Sequence, residues 1–169
     1  MIREIRKYGD PVLAKTASPV VAFDDELKRL VEDMFETMYA APGVGLAAPQ
    51  VGVSRRLFVM DCSSGSNPAD RIALVNPEIL TTEGTQLGDE GCLSFPGLFF
   101  QLNRPQRVVA RAQNVEGEWF ELDVMDLQAR CITHENDHLN GVVFISHLSP
   151  LKRDLVKRKI RKRQKAGDW

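Results

Sequence analysis

The 169-residue sequence lacks any apolar run near 18 residues, so no segment is long enough to cross a membrane as a helix. Its opening, MIREIRKYGD, puts charges where a signal peptide needs an apolar stretch, so no secretory leader is expected and a cytoplasmic location is. Cysteine is scarce: Cys62, Cys92 and Cys131. Three thiols in a chain without a leader do not make a disulfide scaffold. They suit a reduced compartment in which a special cysteine works as a thiolate. Histidine is equally scarce, at His134, His138 and His147, and no glutamate follows Glu135. Internal repeats are absent.

The rest is ordinary for a globular chain. Apolar residues at 43% and charged residues at 27% fit a single domain, residues 1–169, with one hydrophobic core. The net charge of −1 hides an asymmetry. Residues 151–169 carry nine basic and two acidic side chains, a balance of +7, whereas the 150 before them carry thirteen and twenty-one, a balance of −8. An acidic body therefore bears a basic tail.

Apolar periodicity marks the first helix, in FDDELKRLVEDMFETMYAAPG. Leu27, Leu30, Val31, Met34, Phe35 and Met38 share one face, Asp24 or Asp25 can cap the start, and Pro42-Gly43 ends it. Four strand-like runs follow, at 56–61, 71–76, 107–112 and 119–124, with a loop at 63–70 and a hairpin turn at 114–118. A second helix is expected from about Leu127 to Asn140, with Asp126 as N-cap and Gly141 as the stop. A third, from about Pro150 to Lys165, carries the basic tail, with Leu151, Leu155, Val156 and Ile160 as an inward stripe. Helices and antiparallel strands are segregated along the chain, which predicts an α+β fold.

The sharpest chemical signal is His134-Glu135-Asn136-Asp137-His138. Residues four apart lie on one helix face, so His134 and His138 can hold one metal ion. Glu135 beside them can act on water as a general base. A third ligand must come from elsewhere. No glutamate lies downstream to supply it, and Phe144 occupies the position where a third histidine would follow HExxHxxGxxH. The upstream segment Glu90-Gly91-Cys92-Leu93-Ser94 offers Cys92, a strong ligand for ferrous iron or zinc. Two histidines and one cysteine leave the fourth position open, as a catalytic site requires. Cys131, one turn before His134, is a competitor whose plainer reading is a buried small side chain. Cys62 ends a strand without an evident partner and is assigned to the core.

Three motifs in this order, Gly43-Val44-Gly45-Leu46-Ala47-Ala48-Pro49-Gln50, then EGCLS, then HENDH, resemble the peptide deformylase family along nearly the whole chain. The resemblance implies antiparallel sheets around a central metal-binding HExxH helix, with a C-terminal helix after it. It implies removal of the N-formyl group from N-formylmethionyl polypeptides, with release of formate. Cys92, His134 and His138 would be the ligands of one divalent ion. Ferrous iron is the expected ion in the cell, and zinc, nickel or cobalt are chemically compatible. Water activated at the metal would attack the formyl carbon with Glu135 as general acid and base. The Gln50 amide and the Leu93 N–H would stabilise the oxyanion. Gly45 and Gly91 would let the extended substrate approach the strand edge, and Val44, Leu127 and Cys131 would line the methionine pocket. The ribosome is the implied partner of the basic helix, and a monomer with no membrane contact is expected.

Three positions depart from the usual pattern of that family. Thr133 stands where glutamine is typical, Asn136 where an apolar residue is usual, and Asp126 where glycine is common. Asp137 reads either as a partner of Arg104 or as an exposed helix residue. A general metallopeptidase, cleaving unformylated peptides, is the nearest rival. A silent binding protein with a structural metal is a second, and it would need a fourth protein ligand.

Overall fold

The computed structural model describes residues 1–169. Helix α1 spans Asp25–Ala40, and the Asp24 carboxylate caps it by accepting from the Leu27 N–H at 3.0 Å. Strands follow at Gly45–Ala47 (β1), Leu57–Met60 (β2), Ile72–Glu83 (β3), Gln86–Gly91 (β4), Phe99–Arg104 (β5), Arg107–Gln113 (β6) and Trp119–Met125 (β7). Helix α2 spans Asp126–Leu139 and α3 spans Pro150–Lys165. All pairings between these strands are antiparallel. One sheet has the order β1-β2-β3-β6-β7, and β4 and β5 form a separate hairpin.

Strand alternation explains how two helices share one sheet. In β2, Phe58 and Met60 point to a cluster with Ala129, Ile132 and Leu139 of α2. Leu57 and Val59 point the other way, to Leu27, Leu30, Met34 and Met38 of α1. All four β2 side chains are buried, so the strand reads as a continuous apolar run rather than an alternating one. In β6, Val108, Ala110 and Ala112 alternate inward beneath α2. A third cluster joins Phe95, Leu102 and Phe144 to Val156 and Ile160 of α3.

Two local expectations need correction. Asp126 is not the N-cap of α2. Met125 holds that position, and Asp126 is the first helical residue, with φ of 55°. The chain leaves β7 and enters α2 with no linker, and the left-handed residue makes the turn. This conformation favours glycine and tolerates aspartate. Its carboxylate meets the Gln106 amide instead of the helix N–H groups. The inward stripe of α3 is also narrower than expected: Val156 and Ile160 are buried, but Leu151 and Leu155 are 71% and 55% exposed.

Candidate active site

The α2 face that packs against β1 and the β4–β5 hairpin carries Arg130, Cys131, His134, Glu135 and His138, all buried. Here the helix passes so close to β1 that a Cβ on Gly45 would lie 2.7 Å from Cys131 Sγ and 3.1 Å from Glu135 Cγ. A Cβ on Gly91 would lie 2.5 Å from the Phe99 ring. Gly45 is therefore required by the protein's own packing, before any ligand is considered, whereas a side chain at Gly91 would displace the exposed Phe99 ring.

Beneath this crossing, Cys92, His134 and His138 each present a ligand atom, and the three atoms lie within 4.8 Å of one another. Cys92 Sγ is 3.3 Å from His138 Nε2. The His134 Nδ1–H donates to Glu90 at 2.6 Å, which leaves Nε2 facing the cluster. One sulfur and two imidazole nitrogens suit a borderline divalent cation. Glu135 sits alongside, with Oε1 3.7 Å from His134 Nε2 and a buried Oε2 that has no side-chain partner. The donor set and this free carboxylate oxygen both fit a metal ion with a water beside it.

Cys131 stands apart from the three. Its thiol points to the Val44 carbonyl at 3.6 Å, which also accepts from the Asp61 N–H at 2.8 Å. Contact with the Cys62 thiol and burial push Cys131 well above the usual thiol range, so it stays protonated. Cys62, expected to lack a partner, is half-buried beside it.

The side chains of Cys92, His134 and His138 rest on a buried ionic hub that periodicity alone does not reveal. Arg104 grips Glu90 with both arms, Nε to Oε1 at 2.9 Å and Nη2 to Oε2 at 2.7 Å. Arg130 adds a contact to Glu90 Oε1 at 3.0 Å and two to the Leu102 carbonyl. Arg104 Nη1 reaches Asp137 at 2.8 Å, and Asp137 also meets His147. Of the two readings of Asp137, the structure favours the partner of Arg104. Burial works against charge on Glu90, but hydrogen bonds from Arg104 and His134 hold it well below the usual carboxylate range. Burial also opposes charge on His134, yet neighbouring Cys92 and its hydrogen bond to Glu90 raise it. Burial, then the neighbouring His134 and Arg104, push His138 down. Burial raises Glu135 to about 7. Thr133 is satisfied locally, donating to the Ala129 and Arg130 carbonyls, whereas Asn136 keeps a buried Oδ1 without a partner.

Gln50 approaches from the opposite wall. Its Oε1 accepts from the Ala47 N–H at 2.9 Å, which fixes the amide so that Nε2 faces Ser94 Oγ at 3.0 Å and Cys92 Sγ at 3.6 Å. Leu93 lies in the turn after β4, and its side chain covers Gly43. The site opens into a cleft of about 710 Å³ whose lining includes Val44, Gly45, Gly91, Leu127, Cys131 and Phe99. Leu127 and Phe99 are exposed at its mouth, 47% and 71%.

Glu90, Arg130 and Phe99 were not assigned roles from the sequence. For Glu90 a signal existed, since a carboxylate two residues before a ligand cysteine is a natural partner for a ligand histidine.

Residues 2–154 match the family described as Polypeptide deformylase. A peptide deformylase from Acidobacterium capsulatum is 56% identical over 169 residues, covering 100% of this chain and 99% of that protein. One from a Thermotoga species is 50% identical over 157 residues, 92% of this chain and 93% of that one. The crystal structure of a peptide deformylase from Legionella pneumophila superposes with a TM-score of 0.92 at 44% identity, covering 99% of this chain and 98% of that one. That from Thermotoga maritima gives 0.83 at 48%, covering 89% and 99%. With the α+β fold, the motif order and this similarity in agreement, the chain belongs to the polypeptide deformylase family, enzymes that remove the N-formyl group from polypeptides.

Proposed function

We propose that Cys92, His134 and His138 hold one divalent ion and that the enzyme hydrolyses the formamide of N-formylmethionyl chains there. The observation that carries this reading is the convergence of three ligand atoms within 4.8 Å, with the Glu135 carboxylate against the same cluster. A bound ion supplies Lewis acidity and lowers the pKa of a water. The family resemblance favours ferrous iron as the cellular metal; zinc, nickel and cobalt suit the same donors.

The protein side chains do the rest. Glu135, buried and close to neutral in affinity for a proton, accepts one from the attacking water and passes it to the departing amine. The Gln50 amide and the Leu93 N–H donate to the formyl oxygen, where negative charge develops. Val44 with the adjoining edge of β1 at Gly45, and the end of β4 at Gly91, pair with the extended substrate backbone. The methionine side chain enters the cleft between Val44, Leu127 and Cys131. Glu90 keeps the His134 ring in the tautomer that offers Nε2.

The second partner is the ribosome. Lys152, Arg158, Lys159, Arg161, Lys162 and Lys165 on α3 are exposed and none meets a carboxylate, so the helix presents a one-sign surface to a polyanion such as ribosomal RNA.

Formate release from formyl-Met-Ala-Ser by anaerobically purified protein tests the hydrolytic reading. Turnover on the formylated peptide is expected, with none on Met-Ala-Ser. Cleavage of unformylated peptides would favour a general peptidase instead.

A further inference from the structure

Cys92 and Leu93, on which the proposed chemistry depends, sit in the loop that joins β4 to β5. Inside the site, Gln50 holds that loop through Ser94 and Cys92. Its own turn bonds are few: the Phe95 N–H to the Cys92 carbonyl at 2.9 Å and the Leu98 N–H to Phe95 at 3.2 Å. Beyond the packing of Phe95 on Phe144, with centroids 4.9 Å apart, what holds its outer side comes from the far ends of the chain. The Tyr8 N–H donates to the Ser94 carbonyl at 2.9 Å, and the Tyr8 ring stacks on Phe95 with centroids 4.9 Å apart. The Arg163 guanidinium donates through Nη1 to the Pro96 carbonyl at 2.8 Å. Trp169 packs edge-on to Phe95 at 6.3 Å, and its indole N–H donates to the Tyr8 carbonyl at 3.0 Å. Arg163 also lies over the Trp169 ring, 4.9 Å from its centroid, so the two side chains form one unit.

We propose that Arg163 and Trp169 are positioning residues: together they clamp the 92–97 loop from outside and so set the placement of Cys92 and the Leu93 N–H. Helix α3 then has two jobs on two sides. Arg163 is the basic residue of the tail that is spent inward, on Pro96, while its neighbours Arg161 and Lys162 face solvent. A ligand thiolate and an oxyanion donor on one short loop must move together. A shift of about 1 Å in such groups can cost on the order of a hundredfold in rate, even though the clamp touches neither substrate nor reacting atoms. The proposal rests on the hydrolytic reading for its effect on turnover, but the clamp itself is observable without it.

Amide hydrogen exchange and formyl-Met-Ala-Ser kinetics on the purified enzyme test this with Arg163→Ala, Arg163→Lys and Trp169→Ala. Leu155→Ala, exposed on the same helix, serves as control. In Arg163→Ala, which loses the charge-assisted bond to Pro96, and in Trp169→Ala, which loses the bond to the Tyr8 carbonyl and the packing on Phe95, exchange in 92–98 should rise about tenfold or more, with α2 and β6 unchanged. The turnover number should fall about ten- to a hundredfold with a much smaller change in KM. Arg163→Lys, which can still donate to Pro96, should recover most of both. Unchanged loop exchange in the two alanine variants would overturn the proposal, and so would an equal rise across the whole molecule, which marks general destabilisation. Wild-type enzyme without formate release would instead defeat the hydrolytic reading, and loop exchange would still decide the clamp.

Discussion

Charge is used in opposite ways on the two helices that follow the last strand. Against α2, Glu90, Arg104, Arg130 and Asp137 form a closed set in which every ion has a partner, and the side chains of Glu90, Arg104 and Arg130 are only 4–6% exposed. On α3, nine cations are spread over sixteen residues, and only Arg163 lies near a carboxylate, Asp168 at 3.8 Å. Buried, paired charges fix geometry: they can hold one arrangement only, since a lone charge there is far too costly. Exposed, unpaired charges fix nothing but create a field. The first pattern lies against the candidate site, and the second is the surface proposed to meet the ribosome.

The comparison breaks most visibly at the ligands. Cys92→Ala should lose its metal on dialysis and with it essentially all turnover, whereas Cys131→Ala should keep its metal, since its thiol faces the Val44 carbonyl. Metal content per chain decides this, and the reverse pattern would exchange their roles. Gln50→Ala comes next. Loss of one oxyanion donor should lower turnover about 10²–10³-fold with metal retained.

Glu90→Gln probes the hub directly. It leaves Arg104 and Arg130 short of a buried counter-charge, which should cost about 3–5 kcal/mol in chemical denaturation. The loosened His134 should weaken metal affinity about 10–100-fold. A variant as stable as wild type would remove the hub from the account. The smallest intrinsic effect is expected on α3. Reversing Arg158, Arg161, Lys162 and Lys165 to glutamate should change stability by about 0.5 kcal/mol or less per residue and leave short-peptide hydrolysis intact. Ribosome co-sedimentation should weaken, and wild-type binding should fall steeply as salt rises. Arg163 is left out of that set because its guanidinium holds Pro96.

Much of this was legible in the residues. His134 and His138 could be paired because four residues is one helical turn, and α1 was evident from six apolar positions on one face. The strands β2, β3, β6 and β7 showed their β-branched and aromatic runs, although β3 proved longer, at Ile72–Glu83. The β4–β5 hairpin was not legible. QLGDEG carries two glycines and two acids, poor strand formers, and it is a strand because β5 pairs with it along six positions. The hub was hidden for another reason. Glu90 meets Arg104 across 14 residues and Arg130 across 40, and only topology brings them together. Asp126 was misread because its side chain suits a cap, while its backbone serves a turn that usually calls for glycine.

The central claim is that Glu135 moves the proton without holding the metal. Glu135→Gln, analysed for metal and formate release in one sample, tests it most directly. The account predicts one metal ion per chain, as in wild type, with turnover lowered about 10²–10⁴-fold. Wild-type turnover in the metal-loaded variant, or loss of the metal along with activity, would contradict it.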